Sequence, residues 1–277
     1  IGYIMLDERK VHNHGFVKLL DVMGDDEEVV NAARISYGKG TKKFSETRNL
    51  IRYLMRHKHT SPFEMCEVKF HLKLPIFVMR QLVRHRTANI NEYSARYSEM
   101  SDEFYEPEDN YIQKQSKSNM QGRGELVEEK GLMRFEMNRS ADGAYHAYQH
   151  MLNYDVAREL ARIVLPVSNY TECIWKIDLH NFFHVIHLRA DRHAQIEIQD
   201  YANAMFECIE PHFPICCEAY EDYTKNGKSF SAQEMNVIKE LLENADAKAA
   251  LARCMANYEG FHLGKREQKE FLWKIEN

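Results

Sequence analysis

Several patterns that mark common protein classes are missing. No apolar run among the 277 residues is long enough to span a bilayer. No GxGxxG string is present, so a doubly wound dinucleotide-binding domain is not expected. No HExxH string is present either, because Asn181 stands between His180 and His184 where the general-base carboxylate of such a helix belongs. The six cysteines (Cys66, Cys173, Cys208, Cys216, Cys217, Cys254) make no CxxC pair and no regular framework, which fits reduced cytosolic thiols. None of them stands beside an evident base that would activate a nucleophile. A net charge of -5 supplies no basic field for nucleic acid. The N-terminus is not signal-like, and a start at Ile1 rather than Met is what a trimmed chain would have.

What is present is alternation and helical periodicity. Residues 1–43 suggest mixed strand and loop, with a short helix over Val29–Arg34 leading to Ser36 and a break at Gly38 and Gly40. Ser45 is expected to cap a helix running to about Arg56, and residues 59–64 to form a loop. Cys66, Val68, Phe70, Leu72 and Leu74 alternate with polar residues, predicting a strand buried on one face, with His71 on the exposed one. Pro75 ends that strand and opens a buried helix through Val83. Residues 98–130 suggest loop, with Gln113 to Gly124 a mobile polar excursion. Helices are expected over about Glu129–Tyr154 and, capped by Asp155, over Val156–Leu165. A strand over Tyr170–Ile177 should lead, through an Asp178 cap, to a helix over Leu179–Arg189 and then to a long amphipathic helix towards Pro211. Ser231 and Glu234 match a capping box, and residues 247–277 suggest one or two more helices.

The chemistry concentrates in Arg84-His85-Arg86-Thr87, followed by Asn91-Glu92-Tyr93-Ser94-Ala95-Arg96-Tyr97. Guanidiniums so close together repel one another unless an anion lies among them, and a phosphate matches their planar forks. A solvated basic turn after a helix is the plainer alternative. The preceding helix ends at this cluster, and a helix C-terminus offers no N–H groups to an anion, so side chains or loop backbone must hold it. Elsewhere, His180, His184 and His187 share one helical face, which leaves a histidine-based metal enzyme as the rival reading.

The string Arg84-His85-Arg86, seven residues and then Ser94, with its flanks, resembles the signature of flavin-dependent thymidylate synthases. Ala161-Arg162-Ile163-Val164-Leu165-Pro166, the stretch from Asp178 to Arg189 and the stretch from Ala190 to Ile198 are similar to the same family. The resemblance spans most of residues 29–222 and fades after Lys225, which suggests a domain over 1–224 and a helical extension over 225–277. It implies an α+β fold of the family's own kind, a mixed sheet with long helices. It also implies a cytoplasmic homotetramer with sites between subunits. The implied reaction converts dUMP to dTMP, with methylenetetrahydrofolate as carbon donor and FAD reduced by NADPH.

By the same resemblance, Arg189 activates dUMP, against the alternative of a helix-end pair with Asp191. Gln81, Leu82, Val83, Arg84, Glu92, Tyr93, Ser94, Ala95, Arg96, Arg162 and Arg189 are implied to form the dUMP site. Ser36, His59, Ser61, Arg84, His85, Arg86, Thr87, Glu92, Asp178, Leu179, His180 and His184 are the implied FAD contacts. Glu64 fits the carboxylate that follows His59 and Ser61, while Met65 stands where the family often has a second histidine. Two plainer readings stay open. His59 is also the solvent-facing end of a basic helix, and Arg162 is also placed for an ordinary pair with Glu159. Ser94 is expected to contact ligand, not to attack it, because no base adjoins it in the sequence. No metal, nucleic acid or membrane partner is expected.

Overall fold

A computed structural model describes residues 7–35, 46–117, 122–242 and 265–276. The chain divides into two units, Ile1–Tyr220 and Glu221–Asn277. The first is built on five strands: β1 (Asp7–Val11), β2 (Gly15–Met23), β3 (Glu67–Pro75), β4 (Asn89–Glu92) and β7 (Tyr170–Asp178), in the order β1-β2-β3-β7-β4. Two short strands, β5 (Gln113–Gln115) and β6 (Arg123–Leu126), form a separate hairpin.

The class is α+β, as expected, and among the described residues every pairing in the five-stranded sheet is antiparallel rather than mixed. The reason lies in the connections. Met23 at the end of β2 faces Glu67 at the start of β3, and Pro75 at the end of β3 faces Tyr170 at the start of β7. Each excursion therefore leaves and re-enters the sheet at the same end, which forces the next strand to run back.

The period-two pattern of β3 is realised as alternating burial, with Val68, Phe70, Leu72 and Leu74 inward beside Cys173, Trp175 and Ile177 of β7. Phe70 stacks on Phe182 at 5.9 Å and lies 6.3 Å from Trp175. Each such fully buried ring contributes on the order of 1.5–3 kcal/mol over exposure. The opposite face carries cross-strand polar pairs. His71, expected to be simply exposed, is half-buried there, with its Nε2 2.7 Å from Glu172 and its ring edge-on to Phe16.

The helices of this unit are α1 (Asp26–Arg34), α2 (Thr47–Arg56), α3 (Ser61–Glu64), α4 (Ile76–Leu82), α5 (Lys130–Asn153), α6 (Arg158–Ala161), α7 (Leu179–Arg189), α8 (Ile196–Ile209) and α9 (Pro214–Tyr220). α7 begins as its sequence predicts, with the Asp178 carboxylate accepting from the Asn181 amide at 2.9 Å. The helix start expected at Ser45 differs. Glu46 occupies the N-cap without a side-chain bond, and Ser45 lies outside the described residues. The expected loop at 59–64 contains the single turn α3, opened by Pro62.

Asp155 does not cap a helix. Its φ of 54° closes the end of α5 in the left-handed region, and the expected helix 156–165 breaks into α6 and a 3-10 turn over Arg162–Val164. Residues 118–121 of the expected mobile excursion lie outside the described residues, and the described residues beside them are anchored. Arg123 reaches buried Glu197 at 2.6 and 2.8 Å, and the Tyr111 hydroxyl donates to Asp200 at 2.7 Å.

In the second unit, α10 (Ala232–Leu242) starts at the expected capping box. The Ser231 amide donates to Glu234 at 2.7 Å, and the Glu234 amide donates to the Ser231 hydroxyl at 3.3 Å. α11 (Lys265–Glu276) packs against α10 within this unit.

Candidate active site

The site grows from two helix C-termini. β3 runs directly into α4 through Pro75, and α4 closes with three-residue bonds from the Arg84 amide to the Gln81 carbonyl (3.4 Å) and from the His85 amide to the Leu82 carbonyl (3.1 Å). α7 runs from β7 to Arg189. Both ends expose carbonyls that favour cations nearby.

Arg189 Nε donates to His85 Nε2 at 2.9 Å, and its Nη2 donates to the Gln81 carbonyl at 3.1 Å. His85 accepts with Nε2, so its ring is neutral with the proton on Nδ1. Burial, then the neighbouring Arg189 charge, then His184, push its pKa down to about 4. The His184 ring stands edge-on at 6.0 Å. Burial and the adjacent Arg84 also lower the pKa of Arg189. The competing pair with Asp191 does not form. Asp191 instead accepts from the backbone and ring nitrogens of His193, both at 2.8 Å.

Among the described residues, no carboxylate lies within ion-pair distance of Arg84, Arg86, Arg162 or Arg189. That donor set suits a ligand with phosphate oxygens and an anionic ring. Arg96 differs, because its Nε lies 3.0 Å from Glu159. Glu159 therefore pairs with Arg96, and the plainer alternative of an Arg162–Glu159 pair is not formed among the described residues. A small cluster of Ala95, Met100, Tyr148 and Ala161 holds the segment of Ser94 and Arg96 beside that of Glu159 and Arg162.

The Ser94 hydroxyl accepts from the Arg96 amide at 3.4 Å, and no imidazole or carboxylate hydrogen-bonds it among the described residues. Tyr93 donates to the Glu99 carbonyl at 2.7 Å. On β4, the Glu92 carboxylate accepts from the Thr171 hydroxyl at 2.9 Å. Leu82 is buried, whereas Val83, Arg86 and Thr87 are exposed around the cluster.

Ser61, Asp178, Leu179 and His180 lie towards the other end of α7, about 15 Å away at 1.5 Å of rise per residue. α3, with exposed Ser61, packs on α7, and the Leu179 amide donates to the Cys66 carbonyl at 2.9 Å. His59 is exposed and edge-on to Tyr53 at 5.7 Å. His180 is half-buried along the helix. Ser36 lies outside the described residues.

Among the described residues, no group of three His, Cys, Asp or Glu side chains is placed to hold a metal ion. No described helix is long and apolar enough to cross a membrane. Burial pushes the Cys66 and Cys173 thiols up to about 12, the opposite of what a nucleophilic thiolate needs.

Two residues without a role in the sequence reading join the site's surroundings. Gln195 accepts from the Gln81 side-chain amide at 2.7 Å, and Glu197 anchors the hairpin. Their only sequence signal is membership in the stretch from Ala190 to Ile198.

The family model described as "Thymidylate synthase complementing protein" matches residues 18–215. The chain is 49% identical over 271 residues to a flavin-dependent thymidylate synthase of Ehrlichia ruminantium (strain Gardel), covering 97% of this chain and 88% of that protein. It is 44% identical over 275 residues to that of Wolbachia pipientis wMel, with 98% and 93% covered. A crystal structure of a UMP/dUMP methylase, PolB, from Streptomyces cacaoi bound with 5-Br dUMP superposes with a TM-score of 0.72 at 32% identity, covering 78% of this chain and 99% of that one.

Proposed function

The chain belongs to the flavin-dependent thymidylate synthase family, and on that premise we propose that it methylates dUMP reductively to dTMP. The carbon donor is methylenetetrahydrofolate, and the reductant is NADPH acting through bound FAD. One observation carries the reading: a single guanidinium, Arg189, clamped by neutral His85 and the Gln81 carbonyl beside Arg84, with no carboxylate within ion-pair distance of either arginine among the described residues.

Reduced FAD, when bound, supplies the hydride and the relay for the one-carbon unit. The protein supplies binding, orientation and charge. Arg189 uses two donors on His85 and Gln81 and turns the rest to the uracil, where it stabilises negative charge at N3 and the adjacent oxygen. Neutral His85 accepts from this guanidinium and so adds no further positive charge to the cluster. Gln81, Leu82, Val83, Arg84, Glu92, Tyr93, Ser94, Ala95, Arg96 and Arg162 complete the dUMP site. Ser36, His59, Ser61, Arg84 to Thr87, Glu92, Asp178, Leu179, His180 and His184 hold FAD.

The assembly is a cytoplasmic homotetramer with shared sites. The exposed apolar side chains of Leu132, Phe135, Leu160 and Ile163 suit a self-association face. Residues 1–224 form the catalytic domain and 225–277 a helical extension.

The first experiment is the visible absorption spectrum of purified protein, before and after NADPH and then dUMP. A flavin spectrum that bleaches with reductant and responds to dUMP supports the reading. A colourless protein that takes up no added FAD overturns it.

A further inference from the structure

Gln81 is gripped from both ends of one turn. That turn, residues 190–195, joins α7 to α8. At its start, the Arg189 guanidinium donates to the Gln81 backbone carbonyl at 3.1 Å. At its end, the N-cap residue Gln195 accepts from the Gln81 side chain at 2.7 Å. The turn is braced internally. The Ala194 amide donates to the Asp191 carbonyl at 2.9 Å, and the Gln199 side chain donates to the Ala194 carbonyl at 2.7 Å. The first turn of α8 is fixed in its place by Glu197, which is 1% exposed and bonded to Arg123 and to the Tyr105 hydroxyl.

The Gln81 carbonyl belongs to the orphan acceptors of a helix end, which otherwise turn to water or to tighter turns. It is already shared with the Arg84 amide. We propose that Gln195 is a positioning residue for Arg189. By tethering the last turn of α4, it keeps the Gln81 carbonyl and the His85 ring within reach of one guanidinium. The inference rests on the reading of Arg189 as the group that activates the pyrimidine, and its test separates the two.

The test compares Gln195→Ala with Gln195→Glu, which keeps an acceptor oxygen for the Gln81 amide. Two quantities are read: the titration of the His85 ring by NMR of histidine-labelled protein, and kcat and KM for dTMP formation. In the parent protein burial, Arg189 and His184 push the His85 pKa down to about 4. Gln195→Ala should move that titration upward, towards the ordinary histidine value. It should also lower kcat on the order of ten- to a hundredfold, with dUMP KM and flavin absorbance little changed. Gln195→Glu should recover most of kcat; its added carboxylate raises the His85 titration by itself, so only kcat is compared between the two variants. An unshifted His85 titration and unchanged kcat in Gln195→Ala would overturn the proposal, as would equal losses in the two variants. If the parent protein forms no dTMP, the functional reading falls, while the His85 titration still decides whether Gln195 holds the clamp.

Discussion

Two arginine sites flank the start of α8, and they use charge in opposite ways. At the hairpin, Arg123 meets Glu197, a carboxylate buried to 1% exposure, with both oxygens engaged and the Tyr105 hydroxyl donating as well. At the ends of α4 and α7, Arg84, Arg86 and Arg189 meet no carboxylate among the described residues. The first is a closed arrangement, in which every charge has its partner inside the fold. The second is open: Arg189 rests on one helix-end carbonyl and a neutral histidine. Closed charge contributes to folding, and open charge waits for a ligand.

The largest expected effect comes from opening the closed site. Glu197→Ala leaves Arg123 facing a buried gap and should lower unfolding free energy by roughly 3–5 kcal/mol, read from the urea midpoint. A loss under about 1 kcal/mol would mean the pair behaves like a surface contact. At the open site the order reverses. Arg189→Ala should cut dTMP formation by about a hundred- to a thousandfold while retaining flavin and changing stability by no more than about 1 kcal/mol. Full retained turnover would remove Arg189 from the chemistry.

The two sites also separate on the pH axis. The depressed His85 pKa means that the unfolded chain binds the proton first. The His85 contribution to stability is therefore complete above about 6.5 and is lost as pH falls towards about 4. Glu197 behaves as a carboxylate whose burial raises its pKa but whose bonds to Arg123 and Tyr105 more than offset that. Its contribution persists above 4.5 and is lost only at lower pH. Stability measured from pH 7 to 5 should therefore decline in the parent protein and flatten in His85→Asn, with Glu197 silent throughout. An unchanged slope in that variant would remove His85 as the source. The smallest effect belongs to an ordinary exposed pair. Glu136, 2.5 Å from Arg139 on the open side of α5, should change stability by no more than about 0.5 kcal/mol when replaced by alanine.

How far these features can be read in advance depends on distance along the chain. The α7 boundaries follow from an Asp178 cap three residues from its partner amide, and the inward face of β3 follows from strict alternation. The hairpin at 113–126 carries almost no apolar signal, because its anchor is an ion pair with a residue 74 positions away. Asp155 has the composition of a cap. Its φ of 54° is set by how α5 ends against the next segment.

By itself the sequence determined the local elements, the cationic character of the Arg84–Arg86 stretch and the family, since each is carried by residues near one another or by literal strings. The tertiary structure decided which cation works with which partner. Arg189 and His85 are 104 positions apart, and Gln195 and Gln81 are 114 apart. They meet only because β3 and β7 are neighbours that launch α4 and α7 from opposite-running strands, so that the two helix ends and the turn into α8 converge. Hydrogen bonds act over about 3 Å, and no local pattern encodes a meeting that depends on the register of a sheet.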